Sequence, residues 1–236
     1  LGASTLSLSG GGTFANTMPL VLDNAASKLL LSSITVDNVS TSVDNSLGVE
    51  VGNDSTITSL SVSNITPVSI GSGKTLSGAI GVTAGSIKLT DTGTLASTIE
   101  MSGGTLDADN SLTVSGVLTQ SGDITIDVAD TSTLTYTGIP ISLGEFSLML
   151  TGGGNLLSGG LDLNNANSKL LLSSITVDKV STSVDNSLGV EVLSDSTVRN
   201  LSLSQKLRLS VGSAQTLRIT EPLIIPTAGM ELAGSG

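Results

Sequence analysis

Asp107, Asp109, Asp123, Asp127 and Asp130 are the densest set of side chains able to do chemistry, five carboxylates within 24 residues. Hard oxygen ligands gathered on one edge would suit calcium. The glycine-rich nonapeptide spacing of a calcium-binding roll is missing, and the acids do not recur at one phase. Solvated turn carboxylates are therefore the expected role, with these five kept as weak calcium candidates. Catalysis has less support. The chain has no His and no Cys, and Arg199, Arg208 and Arg218 are its only arginines. A Ser nucleophile would lack a base, so neither a catalytic centre nor a cofactor is expected. Four Asn-x-Ser/Thr sequons, at Asn38, Asn53, Asn64 and Asn200, are glycosylation candidates if the chain is exported through a compartment that attaches glycans.

Composition narrows the partners. Twenty acidic residues against nine basic ones give a net charge of −11. Nucleic acid is not an expected partner, because phosphate binding needs clustered Lys and Arg. No apolar run reaches the ~20 residues of a membrane-spanning helix. Ser and Thr number 68, Gly 28, and the aromatics are two Phe and one Tyr. Without aromatic bulk, a core must be built from Leu, Ile and Val, which suits a narrow and regular interior.

The elements that must carry these residues are repeats. Ser27 to Val51 reads SKLLLSSITVDNVSTSVDNSLGVEV and recurs at Ser168 to Val192 with one change, Asn38 becoming Lys179, an offset of 141. Weaker similarity extends this to a long repeat covering about 6–77 and 148–218, with coils 78–147 between. A shorter period lies inside it. Thr or Asn followed by an apolar residue recurs at 13, 35, 56, 75, 94, 113, 133, 155, 176, 197 and 216, which makes eleven units at spacings of 19–22. Seven short units make one long repeat.

Within each unit the apolar residues alternate with period two, as in strands. Ile80 and Val82 are followed by Ile87 and Leu89; Leu201 and Leu203 are followed by Leu207 and Leu209. Gly, Asn, Asp and Ser separate the bursts and tolerate turn geometry. A handful of inward aliphatics cannot offset the ordering of some twenty backbones. Stacking can, because each strand then pairs above and below while the aliphatics merge into one column. The expected fold is all-β, a parallel β-helix of about eleven coils forming one continuous solenoid over 1–236. In this frame Ile57, Leu76, Leu95 and Val114 share one vertical row.

The preceding Thr residues would then form an outward file. An ice-binding array would need a second Thr file two residues on, but Ala15, Asp37, Ser77 and Ala96 are among the residues there. The same frame stacks Asp178, Arg199 and Arg218 as an exposed charge ladder, worth little in stability.

The phrases GGGTF at 10–14, GGGNL at 152–156 and GGTL at 103–106, together with Leu-x-Leu-x-Gly stretches, resemble bacterial autotransporter passengers and filamentous-haemagglutinin-like adhesins. The resemblance implies an exported, right-handed parallel β-helix at the cell surface, used for adhesion, coating or fibre formation. The chain opens inside a coil, which predicts an edge covered by more of the same polypeptide or by another copy stacking head to tail or laterally. The expected function is a segment or subunit of an extracellular fibre. The alternative is an adhesin stalk whose long units, 13–34 and 133–154, carry loops for a glycan or cell-surface ligand.

Overall fold

The computed structural model describes residues 1–223, 225, 227 and 229–234. Strands alternate between a twelve-stranded and a fifteen-stranded sheet, and every ladder between named strands is parallel. The twelve strands of the first sheet bound eleven turns, so the chain is a β-solenoid. No helix occurs among the described residues.

One coil shows how the sequence dictates the path. Lys28–Ser32 lies in the twelve-stranded sheet, Ser33 turns the corner in the left-handed region at φ 54°, and Thr35–Thr41 enters the other sheet. The second sheet bends within each coil. Some coils cross the bend as one long strand, such as Thr94–Met101; others use two short ones, such as Asn155–Ser158 and Leu161–Leu163. Three inward-facing files result, and strand alternation sends every second residue into them. Leu29, Val49, Leu170 and Val190 come from the first sheet; Val36, Leu95, Leu156, Val39, Leu60 and Ile99 come from the two arms of the second. All are buried in one continuous cluster. Coil length along the first sheet runs from 19 residues, Val49 to Val68, to 24, Ile126 to Leu150, because corners absorb insertions while strands keep register.

The row predicted from the Thr spacing holds at seven of its ten interfaces. Thr13, Thr35 and Thr56 stack, as do Thr75, Thr94 and Thr113, and then Thr133, Asn155, Thr176 and Thr197. Three interfaces slip by two residues. Ser55 faces Leu76, Leu112 faces Leu134, and Ser196 faces Leu217. Leu76, Leu95 and Val114 therefore share a row, whereas Ile57 stands opposite Gly78. That glycine has φ 122°, and a Cβ on it would lie 1.7 Å from the Ile57 carbonyl oxygen, so only glycine fits there. An even slip keeps inward residues inward, so the hydrophobic pattern does not oppose it.

The long repeat is reproduced in atomic detail. Asn45 and Asn186 are both buried at a corner. The Asn45 side-chain amide donates to the Asn24 and Ser27 carbonyls at 2.8 and 2.9 Å; Asn186 donates to Asn165 and Ser168 at the same distances. Each side-chain oxygen accepts from the following glycine N–H, Gly48 or Gly189. Lys28 pairs with Glu50 at 2.5 Å, and Lys169 with Glu191 at 2.8 Å.

Candidate functional site

The five aspartates take different partners. Asp107 and Asp127 stack in register on the outer face of the twelve-stranded sheet. The Lys88 ammonium reaches Asp109 at 3.0 Å and Asp107 at 3.4 Å. Its hydrogen bond to Asp109 raises the Lys88 pKa. Burial outweighs the nearby ammonium at Asp107 and lifts that carboxyl above its ordinary value. Asp123 lies elsewhere, accepting the Ser147 N–H at 2.7 Å, and Asp130 packs against Gly153 at a corner. Among the described residues no three acidic side chains converge to hold a cation.

The sequons differ in accessibility. Asn53 is exposed at a corner, where its amide donates to the Ser32 hydroxyl at 2.8 Å. The Asn38 amide donates to the Asn16 carbonyl at 2.9 Å, and Asn16 in turn accepts the Asn38 N–H. Asn64 donates to the Ser63 hydroxyl, and Asn200 to Glu221 at 2.6 Å.

The charge ladder is shorter than its sequence frame. Arg199 lies 3.5 Å from Asp178, as framed. Arg218 does not join them, because the slip at Ser196 and Leu217 sets it opposite Thr197. The same kind of slip creates a file that spacing alone misses: Thr75, Thr94, Thr113 and Thr135 stand in line. The Asn45 and Asn186 corners were also not singled out from sequence, since every residue of a near-identical segment recurs whether or not it bears a structural role.

The ends of the stack carry the clearest departure from a closed fold. Leu232 pairs with Leu209 as Leu89 pairs with Val68, and these are equivalent places in the two long repeats. Leu89 is 1% exposed; Leu232 is 71% exposed. At the other end Phe14 is the counterpart of Leu156 and is 38% exposed against 0%. Leu6 and Leu8 are half-buried where Leu148 and Leu150 are buried beneath Ile124 and Ile126. Identical patterning thus yields a dry residue when a coil lies beyond it and a wet one when none does.

No family model matches this chain, and neither a curated protein nor a solved structure matches it.

Proposed function

We propose that this chain is a segment or subunit of an extracellular surface fibre built by stacking β-solenoid coils, a structural rather than catalytic element. The observation that supports it most is the pair of open ends. Leu232 and Phe14 continue the inward files, and their counterparts Leu89 and Leu156 are buried only because another coil covers them. Further coils, from the same polypeptide or from another copy, would remove that apolar surface from water and pair the open strand edges. A heterologous contact of this kind does not close on itself, and its product is a filament.

Negative-stain imaging of the purified protein tests this. Eleven turns at ~4.8 Å give a rod about 50 Å long. Rods several times that length are expected. Uniform particles no longer than one chain, at every protein concentration tried, would refute stacking between copies.

The adhesive alternative has its own support. The two long units expose apolar side chains at corners directly before proline, Met18 before Pro19 and Ile139 before Pro140. If these corners grip a surface ligand, Met18→Ser with Ile139→Ser should abolish retention on cells that the unaltered protein coats. Unchanged retention would exclude them.

A further inference from the structure

Two grooves in the solenoid surface are copies of one another. The first is lined by Ser33, Thr35, Asp54, Thr56 and Thr75; the second by Ser174, Thr176, Asp195, Thr197 and Thr216, each 141 residues further on. Their volumes are about 280 and 460 Å³, which bracket the ~300 Å³ lower bound of small-molecule sites. Both open where the register slips by two, at Ser55 against Leu76 and Ser196 against Leu217. The slip brings the start of the next strand beside the aspartate, so the Thr75 N–H donates to Asp54 Oδ1 at 2.9 Å and the Thr216 N–H to Asp195 Oδ1 at 2.7 Å.

The retained residues go beyond the near-identical segment. From residue 52 to 77 the two copies diverge at 15 of 26 positions, including Gly52 against Leu193 and Thr58 against Arg199. Asp54, Ser55, Thr56 and Thr75 are nevertheless kept as Asp195, Ser196, Thr197 and Thr216. The aspartate cap and the buried serine have structural roles. The hydroxyls of Thr35, Thr56, Thr176 and Thr197 take no protein partner among the described residues, and they point outward.

We infer that these grooves are a duplicated binding site for a neutral, hydroxyl-rich ligand, a glycan chain. The chemistry selects that class by elimination. An anionic ligand meets an aspartate in each groove on a chain of net charge −11. A cationic ligand would suit the first groove but not the second, where Arg218 stands in place of Ser77. An apolar ligand finds no aromatic wall. A polyol fits both, because each Thr hydroxyl donates and accepts while the second carboxylate oxygen of Asp54 and Asp195 accepts. Seven coils at ~4.8 Å place the copies about 34 Å apart along one rod, so a long chain can engage both at once. Single-groove binding is weak by this account, and avidity makes it useful. The grooves lie neither at the stacking ends nor at the Met18 and Ile139 corners, so this inference and the proposed functions fail separately.

The test is retention of the whole chain on a panel of immobilised polysaccharides, neutral, acidic and amino-substituted, with soluble disaccharide units as competitors. Retention on at least one neutral polymer is expected, together with weak competition by its disaccharide. Thr35→Val with Thr56→Val, or Thr176→Val with Thr197→Val, keeps the β-branched shape and removes the hydroxyls. Either pair should weaken retention at least tenfold, and both pairs together should abolish it, while circular dichroism stays unaltered. Retention only on acidic polymers, retention on none, or retention indifferent to all four substitutions would overturn the inference.

Discussion

Replacing Asn45 by Ala isolates the polar corner that recurs in both long repeats. The side chain makes four hydrogen bonds, to the carbonyls of Asn24 and Ser27 and from the N–H groups of Leu47 and Gly48. Asn24 and Leu47 are exposed, so water can replace Asn45 for them; Ser27 and Gly48 are buried. At ~1–3 kcal/mol per buried group left unpaired, two such groups and an easily wetted corner give a loss of about 3 kcal/mol. In a stack held by neighbouring-coil contacts the loss falls on the coils that share the corner. Hydrogen exchange resolved by coil is the assay, because global melting averages over eleven turns. About 3 kcal/mol corresponds to roughly a hundredfold faster exchange of the affected amides. Asn186→Ala supplies the internal control. Its environment is the same network seven coils away, so its acceleration relative to the unaltered protein should match within about threefold, and the double substitution should be additive. Acceleration under about tenfold at either site, or strong disagreement between them, would refute the argument that this corner is a satisfied polar device.

Three further outcomes follow from single residues. Gly48→Ala and Gly189→Ala place a Cβ 1.9 and 1.8 Å from the carbonyl oxygens of Pro67 and Arg208 at φ 60° and 69°, so each should destabilise by at least ~2 kcal/mol in urea unfolding, whereas Gly11→Ala, with open space around it, should be near neutral. Tyr136 is the sole tyrosine, its hydroxyl accepts the Leu118 N–H at 3.0 Å, and burial raises its pKa. Its stabilising contribution is whole below the ordinary value of 10.0 and declines as pH climbs toward the higher folded value, so phenolate absorbance should appear above that ordinary value, and Tyr136→Phe should remove this alkaline loss. Asp107, also raised by burial, contributes fully below its ordinary 3.8 and loses that contribution as pH rises through the folded value. Asp107→Asn should flatten the stability profile over that acidic range, and an unchanged profile would show that Lys88 offsets the burial completely.

Sequence alone determined the strand period, the coil length and which side chains face inward, because burial is read directly from alternation and each unit is too small to fold unaided. Leu76, Leu95 and Val114 fell in one row as their spacing predicts. Tertiary structure alone decided how far one coil slides along the next. A shift of two residues leaves every inward position inward, so Ile57 against Gly78 and Arg218 against Thr197 have no signature in hydrophobic pattern. Corner geometry settles the choice, through the left-handed turns at Ser33 and Ser174 and the glycine that alone fits beneath Ile57. Those slips are also what open the two grooves, which is why a candidate site made of ordinary Thr and Asp residues was not visible along the chain. Its parts become neighbours only when the coils are laid down in their final register.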